Sequence, residues 1–368
     1  PDDILSRKVN PKSCYVVSTS GHSGSPVKIY RNKGELYYAP IAFIMAYPIL
    51  PWVMKLASGI KTGRRYSAIL PFDENYDLYR IVKNICKYPS FLHRNLQFIS
   101  IDLDVDEQYR ALISHKPDVL SANLSTLKNL VSYAESKELK LPKVKLLFIG
   151  GELIDTNSRI IISKAFDAKI SEHYGSEEAE TIATECPKGN GLHLNWRSCY
   201  LELLKNGEDV PDDTPGEVVV TNLRNFTTPI IRYNGMGDVA TFSSSGCSCR
   251  TNPPLLKMID GRIVDSFSLP DGRIIHPSRI TIPLEDIPGN WRYQIRQEEE
   301  YLVNVLVMPM NPQDKDNVNY ENLSQSIISR LADVFGNSIR IKVSPVDDIP
   351  QPPGSRHKYQ TVISLINR

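Results

Sequence analysis

Short apolar runs alternate with segments of helical period through the first half of the chain, and this alternation restricts the fold more than any other feature. Residues 14–18 (CYVVS), 66–71 (YSAILP), 97–102 (QFISID), 118–121 (DVLS), 144–149 (VKLLFI) and 168–173 (AKISEH) read as strands. Between them, 75–86 (NYDLYRIVKNIC), 106–115 (DEQYRALISH), 124–138 and 156–166 read as helices. Strand, helix and strand in succession form the crossover unit of a parallel sheet, so the expected class is α/β with helices on both faces.

The texture changes near residue 199. Segments 199–205 (CYLELLK), 216–222 (GEVVVTN), 228–233 (TPIIRY) and 238–242 (DVATF) read as short strands joined by turn-rich loops such as NGEDVPDDTPGE. They predict a small β-barrel-like part over 198–260. A third texture follows Gly261: a hairpin in SLPDGRIIHP, strands at 291–297 and 301–308, a helix at 320–335 and a strand at 338–345. The expected division is a large domain over 1–264 and a small α+β domain over 265–368, with the boundary at Asp265.

Composition removes several functional classes. Lys+Arg 43 against Asp+Glu 42 leaves a net charge of +1, with 41% hydrophobic residues. That balance excludes extended disorder and argues against nucleic acid or an anionic membrane as a partner held by field strength. Six Cys in 368 residues do not make a disulfide scaffold. The most apolar stretch, 36–54, contains Pro40, Pro48 and Pro51 and reads as buried helices broken at the prolines, not as a membrane span. The opening PDDILSRKVNPKSC lacks the apolar core of a secretory signal, so the cytoplasm is the expected address.

Four segments carry chemistry. Ser18-Thr19-Ser20-Gly21-His22-Ser23-Gly24 follows the first strand; consecutive N–H groups and hydroxyls of such a loop can surround a phosphate. It is not the Walker pattern. Gly150-Gly151-Glu152 closes a buried strand, where open α/β sheets bind ligands. Tyr174-Gly175-Ser176-Glu177-Glu178 places an aromatic ring for stacking on a base and a carboxylate able to hold Mg²⁺ against phosphates. Gly237-Asp238 and Gly261-Arg262, with Asp265 beyond, offer a carboxylate for ribose hydroxyls and a guanidinium for sugar or phosphate. Taken singly, each segment fits ordinary turn chemistry equally well. Cys186, His193, Cys247 and Cys249 add three thiols and an imidazole, a full tetrahedral set for structural zinc, although four unrelated residues in a reducing compartment would read the same.

The order of these segments decides between the readings. Thr-Ser-Gly-x-x-Gly, Gly-Gly-Glu, Tyr-Gly-x-x-Glu, Gly-Asp and Gly-Arg-x-x-Asp in succession resemble the adenylate-forming superfamily, and within it the phenylacetate–CoA ligase branch, which carries a similar Cys/His cluster. The resemblance runs from about Ser18 to the C-terminus. It implies ATP- and Mg²⁺-dependent activation of an aromatic carboxylic acid to an acyl-adenylate, with pyrophosphate released and the acyl group passed to coenzyme A, a reductase or another acceptor. Residues 18–24 would cradle the phosphates and Glu178 would ligate Mg²⁺. Gly150, Gly151 and Glu152 with Tyr174 would line the adenine pocket, Gly175 and Ser176 would also bind the nucleotide, and Asp238 would hold the ribose with Arg262 beside it. Asp265 would be the hinge of a mobile small domain. Lys358, in register before Val362-Ile363, would be its catalytic lysine, with Arg356 as the substitute. The length and the abbreviated start resemble those of the adenylating enzymes of phenazine antibiotic biosynthesis, and that resemblance implies a phenazine carboxylate as the acid.

The sequence also departs from the family pattern. His22 stands where a hydroxyl residue is usual, Ser25 replaces a common lysine, and His357 takes the place of glycine before Lys358. The Tyr233–Asp238 interval is one residue longer, and the stretch before the phosphate loop is short. The alternative expectations are a catalytically weakened, zinc-stabilised nucleotide-binding protein, or an adenylate donor without coenzyme A ligation.

Overall fold

The structure is a computed structural model that describes residues 5–7, 9–18, 27–32, 34–35, 65–72, 95–186, 188–247, 249, 254–284, 287, 291–309, 319–336, 338–350 and 359–366. The expected helix at 75–86 and the apolar stretch 36–54 lie outside them. Among the described residues no helix is long and apolar enough to cross a membrane.

The first strands, β1 (Tyr15–Ser18) and β2 (Lys28–Arg31), pair with each other as an antiparallel hairpin and form a sheet of their own. This corrects the placing of 14–18 among the parallel strands: β1 belongs to a two-stranded antiparallel sheet. The parallel strands are β3 (Tyr66–Leu70), β4 (Leu96–Ser100), β5 (Val119–Ala122), β6 (Leu146–Gly150) and β7 (Lys169–Ser176), ordered β4-β3-β5-β6-β7.

Helices α1 (Val105–His115), α2 (Leu124–Ser136) and α3 (Thr156–Phe166) form the crossovers. Each begins on a side-chain cap: Asp104, Asn123 and Asp155 accept from the N–H groups of Glu107, Thr126 and Ser158. Such a cap satisfies an N–H that has no partner within the helix and contributes about 1 kcal/mol. The apolar stripes of the helices, including Leu112, Leu127, Leu130, Ile162 and Phe166, bury against Leu120, Leu147 and Ile149.

From β7 the same sheet continues antiparallel through β8 (Glu180–Glu185) and β9 (Leu192–Leu194). It then passes to β14 (Leu255–Arg262), β13 (Asp238–Phe242), β12 (Pro215–Asn222), β10 (Cys199–Lys205) and β11 (Glu208–Asp209). The result is one sheet of twelve strands. Its β-rich half has a core of Ala183, Leu192, Leu201, Leu203, Val218, Val220, Ala240 and Leu256. The expected strand at 228–233 is not formed. Only Tyr233 bridges to Val220, because Pro229 brings no N–H, Arg232 turns at φ 46, and the Arg232 N–H goes to the Thr221 hydroxyl.

Past a 3-10 turn at Ile263–Asp265 the chain builds a second sheet. The short pair β15 (Phe267–Ser268) and β16 (Ile274–Ile275) and helix α4 (Pro277–Thr281) lead into β17 (Trp291–Glu299) and β18 (Leu302–Pro309). Helix α5 (Tyr320–Phe335) then precedes β19 (Arg340–Pro345) and β20 (Val362–Ser364), giving the order β19-β18-β17-β20. This unit has its own core: Phe267, Ile280, Ile295, Val303, Val305, Val307, Leu323, Ile327, Leu331 and Phe335. The class is α/β, with a large sheet and a smaller C-terminal α+β unit.

Candidate active site and metal centre

The C-terminal ends of β6 and β7 lie side by side, with Gly150 paired to His173. The imidazole of His173 occupies the space a side chain at Gly150 would need, a built Cβ lying 2.2 Å from its ring. Burial lowers the His173 pKa to about 4, so the ring packs here as a neutral group. Gly151 then turns with φ 80. The Glu152 carboxylate accepts from the Ser125 N–H and hydroxyl, both at 2.8 Å, and from the N–H of Tyr359 at 3.1 Å. It therefore ties the end of β6 to α2 and to the residue that directly follows Lys358 in the chain.

Beyond β7, Gly175 allows the β7–β8 turn to close; a Cβ there would sit 2.4 Å from the Glu180 carbonyl oxygen. The Ser176 hydroxyl accepts from the Ala179 N–H. Glu178 is buried, and burial, with Asp238 adding, pushes its carboxyl above the usual range. A carboxyl in that position is stabilised as an anion by a nearby cation. The backbone of this turn is held from two sides. Asn222 donates to the Glu178 carbonyl at 2.8 Å, and Arg31 of β2 donates to the Glu177 carbonyl at 2.6 Å while pairing with the Glu180 carboxylate.

Asp238 begins β13 opposite Arg262 at the end of β14. It accepts from the Tyr174 hydroxyl at 2.7 Å and stands 3.6 Å from the Arg262 guanidinium. Burial, then Asp238, raises the Tyr174 phenol well above its ordinary value, and Glu178 also acts on it. Tyr233 is raised by burial and by Glu178. Tyr174, Glu178, Asp238 and Arg262 thus form one electrostatic group. The longer Tyr233–Asp238 interval is taken up by a turn in which Gly237 N–H donates to Asn234.

At the opposite end of these strands the four predicted zinc ligands meet. Cys186 follows β8, His193 lies on β9, and Cys247 and Cys249 lie in the β13–β14 loop. Their ligand atoms all fall within 4.8 Å of one another; Cys186 and Cys247 sulfurs are 3.2 Å apart, and His193 Nε2 is 2.9 Å from Cys249 Sγ. Backbone N–H groups of Lys188 and Cys249 donate to Cys186 and Cys247. Three thiolates and an imidazole converging this closely suit a four-coordinate metal with bonds of about 2.0–2.3 Å.

Asp265 is buried in the 3-10 turn after Arg262. Thr19, Ser20, Gly21, His22, Ser23, Gly24 and Lys358 lie outside the described residues, whereas Ser18 ends β1. Arg31, Glu180 and Asn222 were not among the expected site residues. For Arg31 a signal existed: in Lys28-Ile29-Tyr30-Arg31, the alternation puts Arg31 on the inward face with Ile29.

No protein-family model and no curated protein matches the sequence. Solved structures share the fold. A 2-hydroxyisobutyryl-CoA ligase in the postadenylation state, bound to an acyl-adenylate, aligns at TM-score 0.74 and 21% identity over 97% of this chain and 74% of that one. The same ligase in the thioesterification state, with its adenylate and CoA, aligns at 0.56 and 20% over 97% and 75%. An o-succinylbenzoate CoA synthetase from Bacillus subtilis, in complex with ATP and magnesium, aligns at 0.59 and 16% over 91% and 66%. The chain therefore has the fold of these adenylate-forming ligases.

Proposed function

We propose that the chain activates a small carboxylic acid with ATP, forming an acyl-adenylate. A carboxylate oxygen of the acid bonds to the α-phosphorus, the bond from that phosphorus to the β-phosphate bridging oxygen breaks, and pyrophosphate leaves. The observation that carries the reading is the meeting of Tyr174, Glu178, Asp238 and Arg262 beside the ends of β6 and β7, in a fold shared with ligases that bind such adenylates.

In this reading Asp238, oriented by Tyr174 and Arg262, accepts the ribose hydroxyls. Gly150, Gly151 and the backbone of β7 flank the base, and loop 18–24 binds the phosphates. Glu178 holds Mg²⁺, whose charge offsets that of the phosphates. Lys358 supplies an ammonium at the α-phosphate. Its neighbour Tyr359 is bound by Glu152, a carboxylate that serves positioning of the C-terminal unit beside any contact with adenine. The division at Asp265, with residues 265–368 moving as a unit, belongs to the same proposal. So does the phenylacetate–CoA ligase branch, to which the Cys/His cluster points as a structural zinc site. The acid is aromatic in this reading, a phenazine carboxylate being the specific candidate, and the acceptor is coenzyme A or a separate reductase.

Acid-dependent exchange of labelled pyrophosphate into ATP tests the reaction. Exchange with aromatic acids, including a phenazine carboxylate, is expected. Silence across a broad panel would reduce the chain to a nucleotide-binding protein, and adding coenzyme A to an active mixture identifies the acceptor.

A further inference from the structure

In the Cys/His cluster, His193 Nε2 faces Cys249 Sγ at 2.9 Å, so Nε2 is the nitrogen placed to bind a metal. A neutral imidazole that ligates through Nε2 carries its proton on Nδ1. His193 Nδ1 is buried and has no hydrogen-bond partner among the described residues. Metal-bound histidines almost always donate this second N–H to an acceptor, which fixes the tautomer and the direction of the ring. Two of the other ligands already have such support: the Cys186 and Cys247 sulfurs accept from the N–H groups of Lys188 and Cys249.

Strand register supplies an acceptor for His193. Thr184 of β8 stands directly opposite it on β9. Opposed residues of an antiparallel pair share one face of the sheet, with Cβ atoms about 4.5–5.5 Å apart. Thr184 is 3% exposed, and its Oγ1 is a second buried polar atom without a partner among the described residues. The other residue opposite Thr184 is His173 on β7, whose ring fills the space over Gly150 on the far neighbour β6. A buried hydroxyl costs free energy unless it is paired. Valine would fill the same volume without that cost, so packing alone does not account for a threonine here.

We propose that Thr184 is a positioning residue of the metal centre: its hydroxyl accepts from His193 Nδ1–H, directly or through one bridging water, and so presents Nε2 to the metal. The inference rests on the reading of Cys186, His193, Cys247 and Cys249 as a zinc site.

The test is anaerobic titration of the reduced, metal-free full chain with Co²⁺ and then Zn²⁺. Binding is read from the cobalt absorption spectrum and from competition with a chelator, beside thermal melting. A wild-type chain that gives no tetrahedral thiolate–cobalt spectrum overturns the zinc reading, and the inference with it. A wild-type chain that gives the spectrum, with Thr184→Val equal to it in affinity, overturns the inference alone. The expected result is a Zn²⁺ affinity about 10–100-fold lower in Thr184→Val, while the metal-free variant melts no lower than metal-free wild type. Thr184→Ser, which keeps the hydroxyl, should recover most of the affinity. Equal losses in the serine and valine variants, or a metal-free valine variant that melts well below wild type, would assign Thr184 a packing role and overturn the proposal. One measurement needs no variant: in the zinc-loaded wild-type chain, histidine ¹⁵N spectra should show a proton on His193 Nδ1 that exchanges slowly with water. Rapid exchange there would overturn the proposal even if Thr184→Val failed to fold.

Discussion

Strands β8, β13 and β14 each have one end in the candidate active site and the other in or near the Cys/His cluster. β8 starts at Glu180, paired with Arg31, and ends one residue before Cys186; β13 starts at Asp238 and leads into the loop of Cys247 and Cys249. β14 begins beside His193 and ends at Arg262. Strands of this length span roughly 20 Å. The chemistry at the two ends is opposite. One end gathers soft donors into a closed set of four that leaves no position for substrate. The other gathers oxygens, a phenol and a guanidinium, holds them by hydrogen bonds, and keeps a buried carboxyl above its usual range. A metal held by the cluster would clamp one end of these strands while the other end keeps its polar groups open to a ligand.

Removing the clamp should have the largest effect. Zinc held by a set of this composition would contribute on the order of 10 kcal/mol, so chelation should then lower the melting temperature steeply and weaken ATP binding at the far end. Metal content, melting and calorimetry on one sample would check this; undisturbed ATP binding in a metal-stripped chain would break the comparison. Next come the active-site groups themselves. Glu178→Ala and Lys358→Ala should each slow pyrophosphate exchange by about 10²–10³-fold with little change in melting, the scale of losing one preorganised charge.

The third prediction concerns the neighbours Glu172 and His173 on β7, between the two ends. Burial raises Glu172 from 4.5 to about 7, against the pull of Arg159 and with a further push from Glu185. The folded chain holds that proton where the unfolded chain has released it, so this contribution is full below pH 4.5 and is lost as pH rises towards 7. His173, lowered from 6.5 to about 4, acts in the other direction; its contribution is present above pH 6.5 and lost as pH falls towards 4. Glu172→Gln should remove the first slope, of the order of 3 kcal/mol, and leave stability falling with acid alone. Denaturant titrations between pH 4 and 8 would show it, and an unchanged profile would refute it. The smallest effect is expected from Tyr174→Phe. Loss of one hydrogen bond to the Asp238 carboxylate, about 1–2 kcal/mol, should weaken ATP binding by roughly tenfold and leave melting nearly unaltered.

What could be read from the sequence follows the range of the forces involved. Helix α5 was expected at 320–335 and forms at Tyr320–Phe335, because its apolar stripe repeats within the segment. The strands of the parallel half were legible as local runs of buried residues. β8, β9 and β14 were not: ETIATE is largely polar and LHL is only three residues long, and all three become strands through pairing with one another. At 228–233 the reverse holds. The apolar run looks like a strand, but its backbone groups are spread over side chains (Thr228 N–H to Asn225, Arg232 N–H to Thr221), the Asn222 N–H and a single bridge at Tyr233. For the site, motif order brought Tyr174, Glu178, Asp238 and Arg262 together on the page, and geometry adds how they are held. That Glu152 would reach Tyr359 across 207 positions, or Arg31 the turn around Glu178, depends on tertiary placement that no local pattern encodes.

The spacing of the thiols has a practical outcome. Cys186 and Cys247 sulfurs lie 3.2 Å apart, and a disulfide requires about 2.05 Å, so in a chain without metal a shift of roughly 1 Å suffices when dissolved oxygen or another two-electron oxidant accepts the electrons. Preparations stripped of metal in air should therefore lose two hydrogens in mass, refuse to reload, and regain their capacity only after treatment with a thiol reductant.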